Sequence, residues 1–185
     1  MIREILLTSD FTDTKRLKEI IDEQKSRLQE SLVSSGNGTA ALRANAGYSA
    51  MAAFQDRIAG VSYARFIKHL NEHFAEEKEQ LTKKLYELMK MVFRPENMIV
   101  GITSDEEGYR GIEDEVCRLK EDLYTDVVRK GHQIWQPHTV KEGLITAGQV
   151  QFVAKSGNFC KAGYTYNGAF RILKVLMGYE YLWMN

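Results

Sequence analysis

The sequence predicts a helix-rich α+β fold, and three observations predict it. Apolar residues recur at helical spacing, as in Leu17, Ile20, Ile21, Leu28 and Leu32, and again in Leu81, Leu85, Leu88, Met89 and Val92. Capping and turn residues separate these runs. Two stretches, residues 98–103 and 143–155, instead carry short apolar, β-branched or alternating patterns, which read as strands.

The elements follow in order. The spacing predicts a long helix over 13–33, with Asp10, Thr12 or Asp13 as its cap. Ser34-Ser35-Gly36-Asn37-Gly38-Thr39 breaks it with turn chemistry. Residues 40–59 are rich in small side chains and read as helix, interrupted near 47–49, with Ser49 capping the second piece. Gly60 ends that helix and Ser62 is the expected cap of the next, whose stripe is Val61, Tyr63, Phe66, Ile67 and Leu70. A further helix spans 74–93, and Arg94-Pro95-Glu96-Asn97 stops it. After the strand at 98–103, Ser104 or Asp105 caps a helix carrying Ile112, Val116, Leu119 and Leu123. Residues 131–138 form a linker in which His132 and His138 are loop residues. The alternation of Val150, Phe152 and Ala154 predicts a strand, Ser156-Gly157-Asn158 turns the chain, and 168–185 closes as helix.

Composition excludes several function classes. Lys and Arg together number 25 and Asp and Glu 25, so no excess charge draws the chain to nucleic acid or to an anionic membrane. No apolar run approaches the roughly 18 residues of a membrane span, and the first residues lack the pattern of a secretory signal. Cys117 and Cys160 have no metal-type spacing and are expected as semi-buried thiols of a reducing compartment, the cytoplasm or an organelle matrix. Both ends are apolar, most of all Tyr179, Tyr181, Leu182 and Trp183. That suggests a piece of a longer protein, with self-association where its own packing partner is missing.

Residues 69–73 read His69-Leu70-Asn71-Glu72-His73, a literal H-x-x-E-H. On a helix, two imidazoles one turn apart can share a zinc ion, with the glutamate as general base. The neighbourhood argues against it. His69 and His73 lie beside the apolar stripe, next to the charged Glu76-Glu77-Lys78-Glu79. A catalytic zinc needs a third ligand held from a second element. Glu76 and Glu77 share the same helical surface, and Glu142 lies beyond the linker. The string is therefore expected to be a decoy, with no metal ligand and no catalytic residue among His69, Glu72 and His73.

An ordered set of residues carries a resemblance. Thr14-Lys15-Arg16-Leu17-Lys18-Glu19-Ile20, Arg27-Leu28, Ser34-Ser35-Gly36, Ala40 to Arg43-Ala44, Ser49 and Gly60-Val61-Ser62-Tyr63-Ala64-Arg65-Phe66 resemble the third domain of the presequence proteases, a branch of the pitrilysin/insulinase zinc metallopeptidases. Gln149 to Phe159, Tyr164-Thr165-Tyr166-Asn167-Gly168-Ala169 and Tyr179-Glu180-Tyr181-Leu182-Trp183 resemble the opening strand and helix of that family's fourth domain. Asn37 departs from the family, which often has His after the Ser-Ser-Gly turn. The resemblance implies a parent enzyme of four related α/β domains whose halves close around unfolded peptides, with zinc bound in the first half. It implies residues 1–130 as part of a third domain, 131–142 as linker and 143–185 as the start of a fourth. It transfers no zinc, catalytic or substrate-contacting residue to this chain.

Three readings of function follow. The first is a non-catalytic segment of a peptide-degrading zinc protease, inactive alone, whose partners are the other domains of its own polypeptide. The second is a standalone helical binding or scaffold protein using the apolar C-terminal stripe. The third is a small metallopeptidase built on His69, Glu72 and His73.

Overall fold

The computed structural model describes residues 2–127, 131, 136–146 and 148–182. The expectations for His132, Trp135 and Trp183 fall outside these residues. Helix α1 spans Ile2–Leu7, α2 Thr14–Ser34, α3 Gly36–Ala46, α4 Ala50–Ala59, α5 Val61–Glu72, α6 Phe74–Val92, α7 Glu106–Asp122 and α8 Ala169–Leu176. A 3₁₀ turn occupies Pro95–Asn97, and a π-turn, Met177–Tyr181, continues α8. In that turn the Leu182 N–H reaches back to the Met177 carbonyl at 2.8 Å, five residues earlier.

The local chemistry explains the helix starts. The Asp13 carboxylate accepts the Arg16 N–H at 2.9 Å, opening α2. Asp105 accepts the Gly108 N–H at 2.8 Å at the start of α7, and Ser49 accepts the Ala52 N–H at 3.4 Å at the start of α4. The interruption at 47–49 and the stop at Gly60 match the sequence reading. The turn predicted over 34–39 is shorter than expected, because α3 already begins at Gly36.

Two corrections concern the strands. Among the described residues no strand forms, so neither 98–103 nor 143–155 adopts the predicted conformation. A strand is stable only when a second backbone takes up its N–H and carbonyl groups, and β-branched sequence alone does not supply one. Ile99 is 96% exposed and Val153 85%. Phe152 packs instead against α3. Gly36 is buried there, and a Cβ at that position would collide with the Phe152 ring. Ser62 is a third correction: α5 starts one residue earlier, at Val61, and the Ser62 hydroxyl points elsewhere. Cys117 and Cys160 are a fourth, since both are exposed rather than semi-buried.

The described residues divide into two compact units, each assembled from two stretches of chain. The first comprises Met1–Glu30 and Ala64–Ile134. Ile21, Ile67, Leu70, Phe74, Met89 and Leu123 are its buried apolar residues. Its N-terminal loop is fixed on α6: Tyr86 stacks edge-on against Phe11 at 5.0 Å, the Phe11 N–H donates to the Tyr86 hydroxyl at 3.2 Å, and Thr82 donates to the Phe11 carbonyl at 3.2 Å. Leu88, Val92 and Phe66, expected inward, are exposed.

The second unit comprises Ser31–Tyr63 and Trp135–Asn185. Here α3 packs on α4, and the small side chains of Ala46 and Ala52 are buried. That close approach is what the small-residue composition of the stretch permits. Phe159, Tyr166 and Phe170 form an aromatic cluster, with Phe159 and Phe170 stacked at 4.8 Å.

Candidate functional site

The H-x-x-E-H string does not lie on one straight helix. Helix α5 ends at Glu72, and His73, at φ −108° and ψ 19°, is the residue before α6. Its carbonyl accepts the Glu76 and Glu77 N–H groups at 3.1 and 3.0 Å. The two imidazoles sit side by side with ring centroids 4.3 Å apart. The Nδ1 of His73 donates to the His69 carbonyl at 3.0 Å, and the Nε2 of His69 meets the Glu77 carboxylate at 3.0 Å.

Each member of the string has a local partner. Leu70 is buried in the first unit. Asn71 is bound to α2: its carbonyl accepts from Lys18 at 3.1 Å, its side-chain oxygen accepts from Lys25 at 2.9 Å, and its amide nitrogen donates to Asp22. Lys18 also pairs with Asp22 at 3.0 Å and stands 5.8 Å from the Phe74 ring centroid. Hydrogen bonds from Lys18 and then Asn71 lower the pKa of Asp22 from the ordinary carboxylate value. Glu72, the would-be base, is exposed and lies 3.9 Å from Lys68 one turn back. Of the candidate third ligands, Glu77 is brought to His69, while Glu142 belongs to a different cluster described below. Among the described residues no group of three or more His, Cys, Asp or Glu side chains is arranged to hold a metal ion. The donor set therefore does not fit zinc. His138 is an exposed residue outside helix and strand.

The sequence reading missed a buried ionic cluster in the second unit. Asp56, on α4, is 2% exposed. One of its oxygens accepts the Val61 N–H at 2.9 Å, so α4 caps the helix that follows it. The other accepts from Arg43 Nη1 at 2.7 Å and from the Ser62 hydroxyl. Arg43, on α3, also donates to Ser62 at 3.0 Å and, through Nε, to Glu142. The hydrogen bond to Glu142 raises the Arg43 pKa above its ordinary value; burial opposes this and Asp56 reinforces it. The arrangement satisfies a buried charge with several hydrogen bonds, as burial of an ion requires. It performs no chemistry by itself; it fixes the corner at Gly60 and one extended segment. The signal for it was Asp56 next to a helix-breaking glycine, a carboxylate one turn before a new helix.

A shallow groove of about 400 Å³ lies in the same unit, between Asn45, Tyr48, Ser49 and Met51 on one side and residues 157–160 on the other. Asn158 donates to the Tyr48 carbonyl at 3.2 Å and Ser156 to the Asn45 side chain, so these polar groups are occupied in holding the turn.

Comparison with known proteins gives the wider setting. The family described as associated with peptidases of group M16, subgroup C, matches residues 1–70. A protein of Clostridium perfringens named Protein HypA is 28% identical over 183 residues, which is 99% of this chain and 19% of that protein. Presequence protease 1, chloroplastic/mitochondrial, of Arabidopsis thaliana is 25% identical over 97% of this chain and 17% of its own length. The mitochondrial presequence protease of Yarrowia lipolytica is 32% identical over 52% of this chain and 10% of its own length. The chain thus spans about a fifth of the length of the curated relatives it matches over nearly its whole extent.

Proposed function

Because this chain is a relative of the presequence proteases, in the pitrilysin group of peptidases, we propose that it serves as a non-catalytic segment of a zinc metalloendopeptidase that degrades unfolded peptides within a closed chamber. Its part is enclosure, and size selection follows from it, since a folded protein does not enter a closed chamber. The single observation that carries this reading is the match of 97–99% of the chain to about a fifth of much longer proteins. The involvement of Leu70 and Asn71 in packing, and of His69 with Glu77, supports treating His69, Glu72 and His73 as structural. On this reading residues 1–130 belong to a third domain, 131–142 link, and 143–185 open a fourth. Zinc binds elsewhere in the parent, whose compartment is the cytoplasm or an organelle matrix. Among the described residues no helix is long and apolar enough to cross a membrane.

The test uses the longest reading frame that contains this chain. Peptide cleavage by that protein is expected to be chelator-sensitive and unchanged in Glu72→Gln. Loss of cleavage in Glu72→Gln, with the fold intact, would return the catalytic role to this segment.

One observation favours a second reading, a binding or scaffold protein. Ile172, Val175 and Tyr179 on α8 and its π-turn are exposed, Tyr179 at 75%. Covering a side chain of this size is worth roughly 1.5–3 kcal/mol. Self-association of the isolated chain through this face is the expected consequence. Light scattering that gives a monomer at all concentrations for the native chain and Val175→Glu alike would remove it.

A further inference from the structure

Residues 136–146 form neither helix nor strand, yet two contacts hold them in the second unit. Thr139 lies against Gly47, where an added Cβ would come within 3.0 Å of the Thr139 Cα. Three residues further on, Glu142 binds the Nε edge of Arg43, and both side chains are largely shielded, at 19% exposure for Arg43 and 22% for Glu142. We propose that this segment is a releasable strap, latched to the α3–α4 pair by Arg43 and Glu142. The latch is asymmetric. Arg43 stays anchored without Glu142, because Nη1 remains on Asp56 and Ser62, and Asp56 remains on the Val61 N–H. The strap has no comparable regular backbone structure of its own. Breaking the pair therefore frees the strap and leaves the helical corner in place. Opened, the strap uncovers the Gly47 turn and the Nε–H edge of Arg43, a planar donor edge suited to a carboxylate.

Backbone order parameters from ¹⁵N relaxation test this on the full chain. In the native protein residues 139–144 are expected near the rigid value of about 0.85, and in Glu142→Gln below about 0.6. Residues 40–58 are expected unchanged in that variant. Asp56→Asn is the contrasting variant, and it loosens 40–62 as well. Three results would overturn the proposal: low order at 139–144 in the native chain, unchanged order there in Glu142→Gln, or equal loss across 40–62 in Glu142→Gln.

Discussion

The carboxylate of Asp56 accepts the amide proton of Val61 at 2.9 Å, across the turn at Gly60. One side chain therefore caps a helix, neutralises Arg43 and binds the Ser62 hydroxyl. Asp56→Ala removes all three at once and leaves a largely buried guanidinium with Glu142 as its remaining carboxylate. The expected cost is about 3 kcal/mol, read as a lower urea midpoint with unchanged slope. Asp56→Asn keeps an oxygen for Val61 and is expected to cost less. Equal stability of the native and alanine variants would sink this account.

Gly60 has a steric reason to be glycine. A Cβ there would stand 2.5 Å from Asp56 Oδ1 and 2.8 Å from Asp56 Cα. Backbone cannot retreat as a flexible side chain can, so Gly60→Ala is expected to destabilise by about 1–3 kcal/mol. The same denaturant titration checks it, and Gly38→Ala, where nothing lies within 4 Å, is the control.

Asp10 gives a pH dependence with a definite sign. Its carboxylate accepts from Thr12 and, at 3.1 Å, from the Tyr86 hydroxyl, and these bonds lower its pKa, Thr12 first. A depressed folded pKa means that its contribution is present above the ordinary carboxylate pKa. That contribution is lost as pH falls through the folded value. Carbon-detected NMR titration is expected to place Asp10 below its ordinary value, and Tyr86→Phe is expected to raise it. A Tyr86→Phe titration curve superimposed on the native one would show that the hydroxyl contributes nothing.

Zinc distinguishes a true site from a surface pair of histidines. A site saturated at a hundred times its Kd would stabilise the fold by about 2.7 kcal/mol, which for a chain of this size raises the midpoint by roughly 5–10 °C. The expected shift on adding zinc is negligible in the native chain and in His69→Ala. A rise of the larger size that vanishes in His69→Ala would identify a metal site at this corner.

Cys117 and Cys160 are both exposed. Both are expected to react with an aromatic disulfide reagent in buffer, at rates little changed by denaturant. A thiol that reacts only after unfolding would contradict its placement.

The helices were legible because their signals are local. Asp13, Ser49, Asp105 and Gly60 act within a turn or two of their own positions, and each does what its residue type predicts. The strands failed because pairing is not local: residues 98–103 have strand composition but, among the described residues, no strand beside them. Arg43 and Glu142 were invisible for a related reason. Ninety-nine positions separate them, and charged residues on periodic helices read as solvated faces. The H-x-x-E-H string shows the opposite hazard. Its spacing is helical, but the bend at His73 and the engagement of Asn71 by α2 depend on residues far outside the string.

The π-turn at Met177–Tyr181 leaves a mark in sequence space. A wider turn accommodates one residue more than a regular helix does over the same rise. Relatives whose last helix runs on without the bulge are therefore expected to align with a one-position gap between Met177 and Leu182, and with the phase of the apolar face advanced by about 100° beyond it.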